Sequence, residues 1–200
     1  MPKTIKIIHY KAGNIASVKN AFARLGITLE GVSSPEEIRN ADKLIFPGVG
    51  HARPAMELLK TSGMADAIQG FTGPVLGICL GMQLMASMSE EGDTVGLNLF
   101  PEKIRRFRPG ENMKGLKVPH MGWNDVFRTR GALFEGIPEG SYFYFVHSYY
   151  MEESPSAIAL CNYGTPFSAA TERKNFYGVQ FHPEKSGEAG MTLLKNFIAL

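Results

Sequence analysis

The chain has 200 residues, 44% of them hydrophobic, and a formal net charge of +2. That length suits one compact domain with a substantial core, here expected over residues 1–200. Charges that nearly cancel and lie scattered along the chain argue against a nucleic-acid footprint or a polybasic membrane patch. Two cysteines make no disulfide framework, and no apolar run approaches the roughly 18 residues of a membrane span. "MPKTIKIIHYKAG" lacks the apolar core of a secretory signal, so a cytoplasmic protein is expected.

The first half alternates strand-like and helix-like segments. "TIKIIHY" (4–10) reads as a strand, followed by a helical pattern of Ile15, Val18, Phe22 and Leu25 that Gly26 closes. "ITLEGV" reads as a second strand, and "SSPEEI" offers a Ser cap, Pro35 in the first turn and two early glutamates. "KLIFP" (43–47), a segment around 53–61, "PVLGIC" (74–79) and a helix over 80–88 continue the alternation. This predicts an α/β fold with a mostly parallel central sheet covered by helices.

From about 95 to 182 the pattern turns to strands: "LNLFP", "KIRRF", "WNDVF", "YFYFVHSYY", "AIALCNY", "FSAAT" and "FYGVQF", with Gly, Pro and Asn between them. These predict antiparallel additions to the same sheet, or a second small sheet. A final helix is expected over 188–199, with Met191, Leu194 and Ile198 on one face.

"PVLGICLGMQLM" (74–85) carries the first chemical signal. A buried strand runs into Cys79, with glycines at 77 and 81, and a helix follows; such turns expose nucleophiles in α/β folds. The glycines permit a tight turn and close approach of substrate to backbone. The helix start favours a thiolate over a thiol, and the Leu80 N–H is placed to stabilise an oxyanion. The competing reading is a buried structural cysteine; Cys161, in "AIALCNYG", has no comparable setting and reads as structural.

A thiolate nucleophile needs a base, and the base is usually oriented by a third group. Of the five histidines only His182 has a carboxylate two residues on, Glu184, which on an extended segment lies on the same side. Pro183 keeps that segment from turning helical too early. If Cys79 and His182 sit at the carboxyl ends of neighbouring strands, they converge where α/β folds bind ligands. "FPGVGHA" (46–52) is a further strand-end turn, whose glycines can aim the N–H of Val49 at an oxyanion; an ordinary βα turn is its plain alternative. The Gly-Val-Gly spacing fits no phosphate-binding loop, and no His/Cys/Asp/Glu cluster has metal-ligand spacing, so neither metal nor cofactor is expected.

The glycine turn, G-x-C-x-G-x-Q and F-H-P-E, in this order, resemble the class I glutamine amidotransferases, which implies a three-layer, flavodoxin-like core. Within them "AGNIASV", "PGVG", "GICLGMQ", "PHMGWN", "YFVHSYY" and "GVQFHPEKSG" are similar to the glutaminase subunits of imidazole glycerol phosphate synthase, over essentially the whole chain. The resemblance implies that Cys79 attacks the glutamine amide to form a glutamyl thioester, with His182 as acid and base and Glu184 as its orienter. It places an oxyanion hole at Leu80 and Val49, within the Gly48–Gly50 turn. Gln83, Glu91 and backbone near Ser148 and Tyr149 would bind L-glutamine; a solvated loop charge is the alternative for Glu91.

The same resemblance implies a (β/α)8-barrel cyclase subunit as partner in a heterodimer, receiving the ammonia. Asn14, Met121, Trp123, Asn124, Tyr144 and Lys185 would face it, and its binding would rearrange the "PGVG" loop. One segment departs from the family: "HYKAGN" has His9 and Lys11 where Asp and Gly are usual. The departure leaves open a paralogue supplying ammonia to a related synthase. Anthranilate synthase is a further alternative, against which "PHMGWN" and "PEKS" argue, and a non-catalytic interaction subunit is another.

Overall fold

The protein is described by a computed structural model covering residues 4–10, 15–108, 110 and 115–200. The expected alternation is present: β1 (Ile5–Ile8), α1 (Ile15–Arg24), β2 (Glu30–Val32), α2 (Pro35–Arg39), β3 (Lys43–Phe46) and α3 (Ala52–Thr61). α1 buries Val18, Ala21 and Phe22, and the chain leaves it through Gly26 at φ 75°. α2 begins with a full capping box: Ser34 Oγ accepts the Glu37 N–H, and the Glu37 carboxylate accepts the Ser34 N–H.

A further helix, α4 (Met64–Gln69), follows α3 and carried no sequence expectation. It begins after Gly63, a residue that reads as a terminator, and its six residues are too few to show a period. β4 (Val75–Ile78) leads into α5 (Leu80–Met85), which stops three residues short of the expected 88. The chain there enters β5 (Met88–Ser89), which pairs with β6 (Thr94–Val95) and β7 (Lys103–Arg106).

"LNLFP" is not a strand. The backbone N–H groups of Leu97, Asn98, Leu99 and Phe100 donate to the carbonyls of Leu84, Ala86 and Met85 at 2.8–3.1 Å. Its apolar residues thus cover the end of α5 and satisfy carbonyls that a helix terminus leaves unpaired.

β8 (His120–Val126) and β9 (Ser141–His147) form a long antiparallel hairpin, with Trp123 opposite Tyr144 and His120 opposite His147. Ser148 interrupts "YFYFVHSYY", so its end is a separate strand, β10 (Tyr149–Met151), paired with β7. The chain continues through β11 (Ala157–Asn162), β12 (Pro166–Arg173), β13 (Phe176–Val179) and α6 (Gly187–Ala199).

The main sheet has seven strands in the order β11-β12-β13-β4-β3-β1-β2. From β13 to β2 all neighbours are parallel, while β12 and β11 are added antiparallel. Both options left open by the strand-rich half therefore occur, an extended main sheet and separate small sheets. The five parallel strands have the 2-1-3-4-5 order of flavodoxin-like folds.

Apolar side chains alternate across this sheet. Ile5, Ile7, Ile45, Leu76 and Ile78 pack with α1 and α6, whereas Ile8, Leu44, Phe46 and Val75 pack with α2, α3, α4 and α5. Two apolar faces require two helical layers. On α6 the buried face is Gly190, Leu193, Leu194 and Phe197. Of the expected trio only Leu194 is fully buried; Met191 and Ile198 lie at its margin.

Candidate active site

β3, β4 and β13 are neighbours, and the three motifs follow their carboxyl ends. Cys79 comes directly after β4, and its N–H donates to the Val179 carbonyl at 2.8 Å, extending the ladder to the turn. Its backbone then reverses at φ 54°, ψ −110°, a conformation that L residues hold only when their surroundings enforce it. The enforcement is visible at Gly81, where an added Cβ would run into the Phe46 carbonyl of β3. The glycine lets the helix start press on the neighbouring strand; its service is to packing, not to substrate approach.

The His182 loop is built differently from its extended-strand expectation. β13 ends at Val179, and Pro183–Lys185 form a 3₁₀ turn directly after His182. Pro183 opens this turn, where a missing N–H costs nothing. The turn, rather than a two-residue strand repeat, carries Glu184 back so that its Oε1 lies 2.8 Å from His182 Nδ1. Both side chains are almost wholly buried. A carboxylate on Nδ1 leaves Nε2 as the reactive nitrogen.

His182 Nε2 has no hydrogen bond of normal geometry, although it is buried. Burial, the strongest influence, disfavours its charge, but Cys79 and Glu184 together outweigh it and raise the His182 pKa to about 10. Cys79 Sγ lies 3.9 Å from the Val146 carbonyl and 3.8 Å from Gln180 Nε2. Cys161 is buried with its pKa pushed well up, first by burial and then by Asp125, as the structural reading expects.

Cys79 and His182 open onto a cavity of about 400 Å³, large enough for an amino-acid substrate. Val49, Gly50, Leu80, Gln83, Glu91, Ser148 and Tyr149 all line it, with His51, Pro119, Val146 and His147. Glu91 is no solvated loop charge. Its Oε2 accepts the Ala52 N–H at 2.8 Å, capping α3, and its Oε1 lies 3.1 Å from His51 Nδ1. The carbonyls of Ser148 and Tyr149 are engaged internally, by the Phe107 N–H and by His147 and Gln83.

The Leu80 N–H is not free either, since it donates to the Gly48 carbonyl at 3.4 Å. Pro47 is anchored by the Tyr10 hydroxyl, which donates to its carbonyl at 2.8 Å. Val49 is exposed beside this anchored turn.

The family model for glutamine amidotransferase class-I matches residues 6–200. The chain belongs to the class I glutamine amidotransferases. It is 49% identical to imidazole glycerol phosphate synthase subunit HisH of Bacteroides fragilis over 98% of this chain and 99% of that one. The same subunit of Escherichia coli K12 is 48% identical over 98% and 99%, so within the class this chain belongs with the HisH subunits. Among solved structures, a glutamine amidotransferase superposes with TM-score 0.75 at 18% identity, covering 98% of this chain and 97% of that one. PurLQS from Thermotoga maritima superposes at 0.71 and 17%, covering 100% and 99%. These two likenesses establish the three-layer fold.

The residues expected at a partner face divide by position. Met121 and Trp123 are exposed on the hairpin, and the Trp123 ring meets Tyr144 edge-on at 6.0 Å. The Lys185 ammonium sits 5.9 Å from the Tyr144 ring centre. Asn124 is only half-exposed and is hydrogen-bonded inward, to the Asn162 carbonyl at 3.0 Å. Asn14 and Lys11 lie outside the described residues; His9 is exposed.

Several polar residues at the site carried no expectation: Tyr10, Gln180, Ser186 and the pair His120 and His147. Gln180 had a visible signal, as a lone amide inside the apolar run "FYGVQF". The others had none, because each has a partner distant in sequence, such as Pro47 for Tyr10, Tyr144 for Ser186 and the two histidines for each other.

Proposed function

We propose that this chain is the glutaminase subunit of an imidazole glycerol phosphate synthase, hydrolysing L-glutamine and passing ammonia to a (β/α)8 cyclase subunit in a cytoplasmic heterodimer. The carrying observation is a cysteine at a strained strand-to-helix turn, beside a buried histidine whose other nitrogen is held by a carboxylate. Near-half identity over nearly the whole length to HisH subunits supports this partner over a paralogous synthase, despite the "HYKAGN" segment.

In this reading Cys79 Sγ, its proton held on His182, attacks the amide carbon of glutamine. The tetrahedral oxyanion collapses as His182 gives that proton to the departing nitrogen, releasing ammonia and leaving a glutamyl thioester. His182 then takes a proton from water, which attacks the thioester carbon to release glutamate and return the sulfur. Glu184 holds the imidazole throughout. Gln83, Glu91 and the backbone N–H groups near Ser148 and Tyr149 position glutamine in the cavity.

The oxyanion hole is assigned to the N–H groups of Leu80 and Val49. With the Gly48 carbonyl on the Leu80 N–H, that hole is closed. Docking of the cyclase on Met121, Trp123, Asn124, Tyr144, Lys185 and Asn14 would open it by turning the Gly48–Gly50 segment.

The test is Cys79→Ala, assayed with the cognate cyclase. Glutamine-dependent product formation should vanish while free ammonium still supports the cyclase. Continued glutamine hydrolysis by the variant would show the assignment to be wrong.

A further inference from the structure

A row of hydrogen bonds runs from the outer hairpin to Cys79 in two arms that meet at the Tyr149 carbonyl. At the inner end, the Tyr149 carbonyl can only accept. His147 Nδ1, 2.7 Å away, must therefore carry a proton, and so must Gln83 Nε2 at 2.9 Å. At the outer end, Asn124 Oδ1 accepts the Asp125 N–H at 2.9 Å, which leaves Asn124 Nδ2 as the atom 3.4 Å from His120 Nε2. His120 Nε2 is then bare and its Nδ1 protonated. The two ends agree: His120 Nδ1 donates to His147 Nε2 at 3.0 Å.

The same logic orients the glutamines. With Nε2 of Gln83 on Tyr149, its second proton goes to Gln180 Oε1 at 2.9 Å. That turns Gln180 Nε2 towards Cys79 Sγ, 3.8 Å away. A reversed Gln83 would set its oxygen against the Tyr149 carbonyl and Gln180 Oε1, and a reversed Gln180 would set two N–H donors against each other, at a cost of about 1–3 kcal/mol per unpaired buried group. Gln180 is fully buried and His120 and His147 nearly so.

We propose that Gln180 is the residue that stabilises the Cys79 thiolate, by an N–H whose direction is imposed by the Tyr149 carbonyl through Gln83. This deepens, and rests on, the glutaminase reading of Cys79. Gln180 touches the reacting sulfur, whereas Gln83 acts through it as a positioning residue. His147 must also stay neutral, since a charge there would oppose the proton on His182. Burial holds the pKa of His147 down to about 3, helped by the nearby His120 and His182, against the Tyr149 carbonyl.

Two measurements on the full chain test this. Imidazole ¹⁵N spectra should show His147 neutral and protonated on Nδ1, as its bond to the Tyr149 carbonyl requires; a charged His147 beside His182 would overturn the proposal. The pH dependence of Cys79 alkylation by iodoacetamide, followed by mass spectrometry, reads the thiolate directly. In Gln180→Met the midpoint should move up by about one pH unit, the scale of one charge-assisted hydrogen bond. A side chain that merely fills space would leave the midpoint in place. Gln83→Met frees Gln180 to reverse and should move the midpoint in the same direction by less, which decides the matter if Gln180→Met does not fold. Midpoints equal to wild type in the folded variants overturn the proposal alone. A wild-type Cys79 no more reactive than Cys161 overturns it together with the glutaminase reading.

Discussion

The amide N–H of Leu80 donates to the Gly48 carbonyl at 3.4 Å, so the loop proposed to help build an oxyanion hole also occupies one of its proposed donors. The bond is long and therefore weak, so the obstruction can be released by a modest rotation of the turn. Gly48 is also the tightest point of that turn: a Cβ there would strike the Tyr10 hydroxyl and come within 2.8 Å of Leu80 Cβ and 2.9 Å of the Gly81 nitrogen. Gly48→Ala should therefore cost about 1–3 kcal/mol of stability, as overpacked sites do. It should also lower partner-stimulated glutaminase kcat/KM by about tenfold or more, the scale of one misplaced oxyanion donor. Thermal melting and steady-state kinetics check the two effects, and a variant that melts and turns over like wild type would refute the packing argument.

His182 and the pair His120 and His147 titrate in opposite senses. The His182 pKa rises from 6.5 to about 10. Its stabilising contribution is therefore complete below 6.5 and is lost as pH climbs towards 10. Burial lowers His120 to about 4 and His147 to about 3. Their contribution is present above 6.5 and is lost as pH falls through that lower range. Stability should thus fall away on both sides of an optimum near neutrality. Glu184→Gln keeps a hydrogen-bonding group but removes the anion, so the His182 midpoint should drop and the alkaline fall should become shallower. Urea unfolding across the pH range, with NMR titration of the imidazoles, measures both. Glutamine turnover should fall by about a hundredfold or more, as an acid–base histidine loses the carboxylate that holds it. An unchanged alkaline limb in the variant would leave Cys79 alone as the source of the shift and count against a share for Glu184.

What could be read in the residues was what depends on short-range pattern. Strand and helix alternation gave β1 to β4 with α1, α2, α3 and the start of α5, and G-x-C-x-G-x-Q with F-H-P-E pointed to Cys79, His182 and Glu184 as the candidate set. The failures share a cause, which is tertiary packing that local pattern does not report. "LNLFP" alternates like a strand because its apolar side chains cover the end of α5. Glu184 reaches His182 through a 3₁₀ turn, although the same two-residue spacing also fits a strand. Glu91 was legible as a carboxylate near the site, but not as the cap of a helix some forty residues earlier.

Tyr144 joins the hairpin to the His182 loop through its backbone, and this link bears on the proposed activation. Its carbonyl accepts the His182 N–H at 2.9 Å, and its N–H donates to Ser186 Oγ at 3.0 Å, while the Ser186 hydroxyl donates to the His182 carbonyl at 2.6 Å. Its ring meanwhile lies against Trp123 and Lys185 on the exposed side. A partner seated on that side would thus press on a strand hydrogen-bonded to the base. Trp123→Ala removes a side chain that is half-exposed in this chain alone. It should leave the melting temperature within about a degree but weaken cyclase binding by about thirtyfold, as loss of an interfacial aromatic anchor does. Ser186→Ala should do the reverse. Cyclase affinity stays near wild type, but the unsatisfied Tyr144 N–H costs about 1–2 kcal/mol, and glutaminase kcat at saturating cyclase falls. If Ser186→Ala instead weakened binding and spared kcat, the hairpin and the His182 loop would have to be regarded as separate units.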